Sequence, residues 1–495
     1  MLGSRMIRKL ASGFAEPKDA KVANGTPEIW GAILIAAFVL TCAGFSILPL
    51  VNAVRKPLDN KDYSRWYEAG RHVIEGRPLY EAQDGRGPFD FVYPPFAAVG
   101  LFAPPSLLGP TGVVVAMTAL TSLAWLGSLF LAVRLYTGRW VHQELLLYLV
   151  PGLIALPYTW DIFFLGQPNL ILLGLLMLAF LALEQGRRWL IGLALATAAA
   201  LKAFPIVLLG YLVWRRQCLA ALWTVVFLAG LLWLLPGAVR GFQRNNAELV
   251  SWFDAMIMKQ SSQNIAQRPQ IAFQWRNQSL LSTVHRLTRH VAVGSRVGDG
   301  AEQFYVNLVD LGPKGSNLVF YALMGLMGLT FAAVTWGPRG RTPQSRAMEY
   351  ALALGLVLFA TPKAGTYYFV WLLLPLTTAC AFIQESPARS RRRRTATGLL
   401  AISVLLLSTA ATQPFDHTTQ AYGATTWGGL AVWCSVLWMY CGLRREERRA
   451  ATQEPVTLVG AHRRSLSDRT QLRGVSWCCH APGRALRNRN GRGQA

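Results

Sequence analysis

The sequence predicts an all-α protein that crosses a membrane many times, and three observations predict it. Hydrophobic residues make up 53% of the chain and charged ones only 15%, where a water-soluble chain carries roughly 25% charged residues. Many apolar runs approach or exceed the ~18–20 residues that span a bilayer as a helix. The bases that give a formal net charge of +24 over 495 residues gather in short loops between those runs and in the C-terminal tail, as cytoplasmic loops do. That clustering points to membrane lipids as partners and away from nucleic acid.

Residues 1–28, with Arg5, Arg8, Lys9, Lys18 and Lys21, read as a basic cytoplasmic N-terminus. The chain turns apolar from Ile29 with no short apolar stretch ending in a small-residue cleavage site, so an uncleaved first helix is expected over 30–51. A polar outer loop follows, at about 55–95. Residues 96–108 are apolar but too short to cross easily, and Pro104-Pro105 breaks them, so a re-entrant or interfacial segment is expected. Helices are expected over 111–134, 145–158 and 168–183. The run 189–214 is flanked by Arg187-Arg188 and Arg215-Arg216, so it reads as two short helices broken at Lys202-Ala203-Phe204-Pro205. Helix 218–238 leads to a second large outer loop, 239–315. Helices near 316–336, 347–361, 367–384, 396–412 and 425–443 complete a membrane domain of 29–443. About twelve crossings, with both ends cytoplasmic, put every basic loop on one side, including 337–346, 389–394 and 444–449. The tail, 444–495, has twelve arginines and four acids and is expected to be disordered. None of the seven cysteines has metal-ligand spacing, and no disulfide framework is visible.

Chemistry is sought first in Asp59–Pro95, the first long polar segment, which holds seven carboxylates. Tyr63, Trp66, Tyr67, Gly70, Val73 and Ile74 recur at helical steps and make one apolar face, the signature of a helix lying in the interface plane. Gly76 and Pro78 stop it. Asp62, near its start, could take a proton from a hydroxyl substrate. On spacing alone, Asp59 as N-cap with Asp62 in a capping box is the favoured reading.

Ionisable groups at membrane depth carry a functional expectation by default. Lys202 interrupts two apolar stretches just before Pro205. It could neutralise a phosphate in a protein-lined cavity or reach to the interface. Lys363 lies in a similar turn beside Tyr367 and Tyr368. Gln167 and Asn169, either side of Pro168, could bond sugar hydroxyls or cap the following helix. In the second outer loop, Asn277-Gln278-Ser279 precedes a helical stretch with His285, Arg286 and Arg289. Ser279 could be its N-cap and Arg286 a phosphate ligand. There is no phosphate-binding glycine loop, no nucleophile elbow, no zinc-type H-E-x-x-H and no dinucleotide fingerprint. Broken helices around a lysine also suit a transporter or flippase for a lipid-linked or small polar substrate, and on the residues alone that alternative stays open.

The chain resembles the polyprenol-phosphate-mannose-dependent mannosyltransferases of glycosyltransferase family 87, which have the GT-C membrane fold. The resemblance rests on DYSRWYEAG, GRPLY and FVYPP (62–70, 76–80, 91–95), LGQPNLILL (165–173), LKAFPIVLL (201–209), NQSL (277–280) and TPKAGTYYFVWLLLP (361–375). Relatives carry a Trp and a His in the late motif, where this chain has Gly365, Tyr367 and Tyr368. The resemblance implies a GT-C-type enzyme of the cell membrane that moves a single hexose, mannose in the family, from a polyprenyl-phosphate sugar to a lipid or glycan acceptor. It implies a periplasmic or extracellular active site, and neither metal nor cofactor. It maps the acidic base onto Asp62, the intramembrane lysine onto Lys202 and the Asn-Gln-Ser segment onto Asn277, Gln278 and Ser279. The expected substrate contacts are Arg65, Tyr93, Gln167, Asn169, Lys202, Asn277, Gln278, Arg286, Lys363 and Tyr368.

Overall fold

A computed structural model describes residues 26–57, 59–80, 91–140, 144–258, 273–294, 304–411 and 416–453. The expectations for the basic N-terminus up to residue 25 and for the tail from residue 454 lie outside them, as do parts of both outer loops. Every regular element among the described residues is helical. In chain order they are α1 (Thr26–Arg55), α2 (Lys61–Ile74), α3 (Gly109–Thr137), α4 (Leu145–Leu165), α5 (Asn169–Glu184), α6 (Arg188–Leu201) and α7 (Leu208–Trp214). They continue as α8 (Cys218–Arg240), α9 (Phe242–Phe253), α10 (Leu280–Thr288), α11 (Gly312–Thr335), α12 (Pro343–Ala360), α13 (Leu373–Glu385), α14 (Arg391–Thr409) and α15 (Ala424–Gln453). Residues up to Arg444 form one unit and those from Arg445 a second.

All twelve apolar runs are helices, and among the described residues seven of them are long and apolar enough to cross a membrane. The other five explain themselves. α5, α6 and the stretch Phe204–Trp214 are short. α12 carries Arg346 and Glu349, and α14 opens on four arginines behind its N-cap Ser390, whose side chain accepts from the backbone N–H of Arg393. Large apolar side chains stand outward on the long helices, among them Leu40, Leu123, Leu318, Leu329 and Leu405. Such a surface belongs in hydrocarbon rather than water. The protein is therefore a multi-pass membrane protein.

Hydrogen bonds sort the connections into two ends. At one end Glu184 takes bonds from Arg339 and Arg346 at 2.8 Å each, Tyr136 donates to Glu385 at 2.9 Å, and Arg444 donates to the Pro338 carbonyl at 2.7 Å. These contacts join the basic loops that the sequence assigns to one side. At the other end the first and second loops meet. Arg240 pairs with Glu248, both nearly enclosed. Glu248 also accepts from the Leu79 N–H at 3.2 Å, and Trp252 Nε1 donates to the Val92 carbonyl at 3.1 Å.

Residues 96–106 are largely packed inside the protein, whereas Leu107 and Leu108 stand exposed. Ala97–Phe102 is a widened helical turn that runs into Ala103–Ser106, and Phe102 is fully buried. Its ring stacks on Trp66 of α2 at 4.7 Å and 3°. The two backbones approach so closely that a Cβ on Gly70 would meet Ser106 Oγ at 2.1 Å and the Phe102 carbonyl at 2.7 Å. Gly70→Ala is therefore expected to push α2 off its seat, at a cost of about 1–3 kcal/mol of stability. A lowered thermal midpoint together with reduced turnover checks it, and an unchanged midpoint argues against it. Gly192 plays the same part between α6 and α8, where a Cβ would reach the Trp223 backbone at 2.7 Å. Small residues let membrane helices approach this closely.

Candidate active site

The loop-facing end of α2 begins with a strained residue. Lys61 has φ of +51°, a conformation side chains other than glycine seldom adopt. Asn60 stands at the N-cap with no side-chain capping bond; its Nδ2 donates instead to the Pro49 carbonyl of α1 at 2.9 Å. Asp59 does not cap α2, so the capping-box reading of Asp59 and Asp62 fails. Asp62 lies in the first turn, where the helix dipole favours a carboxylate.

The Asp62 carboxylate accepts from Gln167 Nε2 and from Arg65 Nη1 at 3.3 Å, and its side chain keeps 24% exposure. α2 is pinned so that this contact forms. Tyr63 Oη donates to the Phe163 carbonyl and Trp66 Nε1 to the Gly166 carbonyl, each at 2.7 Å. Gly166 ends α4 in the left-handed region, φ +78°, where glycine carries no Cβ penalty. A Cβ there would also touch the Tyr63 ring at 3.0 Å. The LGQPN motif thus turns the chain at a glycine and aims Gln167 back at α2.

Gln167 links the carboxylate to the lysine. Its Oε1 accepts from Tyr93 Oη at 3.1 Å and from Lys202 Nζ at 3.4 Å. Lys202 also donates to Asn169 Oδ1 at 3.1 Å. The ammonium lies 4.4 Å from the ring centre of Tyr368, 5.2 Å from Tyr93 and 5.6 Å from Tyr367. Oxygens and ring faces together make a seat for a cation. α6 ends at Leu201 and Phe204–Val207 restarts the chain in a tighter helix, as expected of a break before Pro205. The fourteen residues of α6 rise only ~21 Å, against hydrocarbon ~30 Å thick, so Lys202 sits recessed.

The structure thus brings together Asp62, Arg65, Tyr93, Gln167, Asn169, Lys202 and Tyr368. Lys363 stands near enough to repel Lys202 electrostatically. Three expected substrate contacts lie elsewhere. Arg286 is completely buried. Its nitrogens donate to the carbonyls of Ala421 (2.8 Å), Gln274 (3.1 Å), Asn277 (2.5 Å) and Gln420 (3.1 Å), and to Ser282 Oγ (2.9 Å) and Thr283 Oγ1 (3.1 Å). Asn277 Oδ1 accepts from the Ala364 N–H at 3.0 Å, and Gln278 donates to the Gln420 carbonyl at 2.7 Å. These three side chains brace the loop: Arg286 and Gln278 donate to backbone carbonyls, and Asn277 accepts from the N–H groups of Ser279 and Ala364. Ser279 does cap α10, accepting from the Ser282 N–H at 3.1 Å, and its hydroxyl donates to the Pro362 carbonyl at 2.8 Å. The Asn-Gln-Ser motif therefore holds the 361–365 turn, from which Tyr367 and Tyr368 reach Lys202.

Sequence reasoning left Tyr367 out of the site, and it passed over the bond from Thr366 Oγ1 to Asp161 that fixes its turn against α4. Two adjacent tyrosines beside a lysine were the available signal. Asn169 Nδ2 is enclosed without a hydrogen-bond partner, and the Asn169 carbonyl accepts from Trp371 Nε1 at 3.1 Å. Among the described residues, no three His, Cys, Asp or Glu side chains gather as a metal site. What remains is a half-open carboxylate next to an excess of cationic groups, suited to a hydroxyl and an anion together.

The model of Glycosyltransferase family 87 matches residues 91–362, more than half of the chain. The chain belongs to glycosyltransferase family 87. The matched region of this family 87 protein contains Tyr93, Gln167, Asn169, Lys202 and the bracing motif; Asp62 lies before it and Lys363 and Tyr368 just after. Membership makes the protein a membrane glycosyltransferase and sets the transporter alternative aside. Among solved structures it is similar to ArnT from Cupriavidus metallidurans, crystallised with undecaprenyl phosphate, at 13% identity over 84% of this chain and 78% of that one, with a TM-score of 0.42. No curated protein matches the chain.

Proposed function

We propose that this protein transfers a single hexose, mannose by family analogy, from a polyprenyl-phosphate sugar to a lipid or glycan acceptor, with inversion, on the outer face of the membrane. The observation that carries the proposal is the Asp62–Gln167–Lys202 chain, in which one amide joins a proton acceptor to a recessed cation. The GT-C architecture comes with the family resemblance. The basic loops gather at the end away from Asp62, which supports an outward-facing site.

The acceptor hydroxyl approaches Asp62 from its exposed side and gives up its proton as its oxygen attacks the anomeric carbon. The bond from that carbon to the phosphate oxygen breaks, and its electron pair leaves with the polyprenyl phosphate. Lys202, with Lys363 and Arg65 nearby, stabilises the growing phosphate charge. Gln167 holds Asp62 and Lys202 in register, Tyr93 orients Gln167, and Tyr368 backs the ammonium. Arg65 is too exposed for its pair with Asp62 to cost the base much.

The test is transfer by the purified full-length protein from synthetic polyprenyl-phosphate mannose, with product anomer analysis. Retention of configuration, or equal use of a nucleotide sugar, overturns the proposal. Lys202→Met is expected to reduce kcat/KM for the donor by about 10²-fold, with a melting midpoint at or above the parent, since an apolar chain replaces a buried cation. Unchanged donor kinetics would remove the phosphate role of Lys202.

A further inference from the structure

We propose that a cavity at the basic end of the protein, opposite Asp62, binds the phosphate of an anionic phospholipid headgroup. The cavity measures about 830 Å³ and is lined by Val213, Trp214, Arg216, Thr335, Trp336 and Arg339 among others. It lies between the end of α7 and the end of α11.

Charge points to the ligand. Arg215 forms the buried wall and is already neutralised: it pairs with Glu349 and donates to the Gly337 carbonyl at 2.9 Å. Arg339 and Arg346 share one carboxylate, Glu184, and Arg339 Nε is enclosed without an acceptor. Arg216 is exposed. The surroundings thus hold four arginines against two carboxylates, and Arg215, Arg216 and Arg339 line the cavity itself.

Backbone geometry singles out Arg216. It has φ of +55° and follows α7 at the position where helices usually place glycine. The following Gln217 N–H closes the motif on the Leu212 carbonyl at 2.8 Å. A Cβ is disfavoured in this conformation, so the turn alone would be served better by glycine, and the side chain must be accounted for otherwise. Its guanidinium offers a forked donor suited to phosphate.

The rim places the opening at headgroup level. The Trp214 and Trp336 rings lie 5.3 Å apart and are 37% and 68% exposed. Trp214 is oriented by its bond to Thr335 Oγ1 at 3.1 Å. Paired, exposed tryptophans of this kind mark the membrane–water boundary, and basic pockets between helices at that level take lipid headgroups.

The experiment is native mass spectrometry and thermal melting of the full-length protein in detergent. Short-chain phosphatidylglycerol, phosphatidylcholine and inorganic phosphate are added separately. Phosphatidylglycerol is expected to stay bound and raise the melting midpoint, and the other two are not. Arg216→Gly is expected to lose about fivefold in affinity for phosphatidylglycerol while its lipid-free midpoint equals or exceeds the parent's. Trp336→Ala should also weaken binding. Arg188→Gln, which removes an exposed charge at the same end outside the cavity, should bind as the parent does. The proposal is overturned if Arg216→Gly binds normally or if Arg188→Gln loses as much, since bulk attraction would then suffice. It is equally overturned if phosphatidylcholine binds as well, or if inorganic phosphate alone gives the same stabilisation.

Discussion

Asp62→Asn is expected to lower sugar transfer by about 10²–10⁴-fold, the range for losing a positioned general base, with no fall in the melting midpoint. The substitution keeps the shape of the side chain. Its contact with Arg65 is partly exposed, 44% and 24% for the two side chains, and such pairs add little stability. The new amide oxygen can still accept from Gln167 Nε2, so Gln167 keeps its orientation toward Tyr93 and Lys202. The seat of α2 depends on Tyr63, Trp66 and Gly70 rather than on Asp62. The loss therefore falls on kcat, and donor KM should move little, because Lys202 keeps Asn169 and the tyrosines. Turnover of Asp62→Asn close to the parent's would show that the proton goes elsewhere and would leave Asp62 as an orienting group for Gln167.

Arg286→Met should be the most damaging substitution for stability, at about 3–5 kcal/mol. Six oxygens lose a buried donor at once, and each buried group left unpaired costs about 1–3 kcal/mol before relaxation. Changes above ~4 kcal/mol are uncommon and belong to broken networks of this kind. The failure should be local first, since Arg286 ties the 274–286 loop to the carbonyls of Gln420 and Ala421. Thermal melting and limited proteolysis within 273–294 measure it. The folded fraction at low temperature should retain the parent's donor KM. A raised donor KM with an unchanged midpoint would reverse the assignment and put Arg286 on the phosphate.

Much of the fold was legible because lipid imposes a simple rule: a crossing segment must satisfy its backbone internally. All twelve expected helices form, and the break at Lys202–Pro205 falls where the proline and the lysine coincide. The expectation of a re-entrant or interfacial segment at 96–108 left open what holds it, because hydropathy does not reveal that Trp66 and Gly70 offer Phe102 a seat. The short charged helices were harder still. Nothing local in Glu349 says that Arg215, 134 residues earlier, will meet it, so the polar network at the basic end left no trace in the pattern.

The sequence by itself determined the long apolar helices, their breaks, the two groups of loops and the motif order that identifies the family, but not the short α9. It also nominated Asp62 and Lys202, since an acid at a helix start and a lysine at membrane depth are conspicuous one residue at a time. Only the tertiary structure decided what each of them faces. Gln167, 105 residues from Asp62, turned out to be the link between them. Arg286, Asn277 and Gln278 turned out to be braces. The reason is physical: periodicity and hydropathy are sums over neighbours along the chain, whereas a hydrogen bond depends on an ångström-scale meeting of groups from distant segments. The same arginine can serve a phosphate or a carbonyl, and only packing determines which acceptor lies within 3 Å.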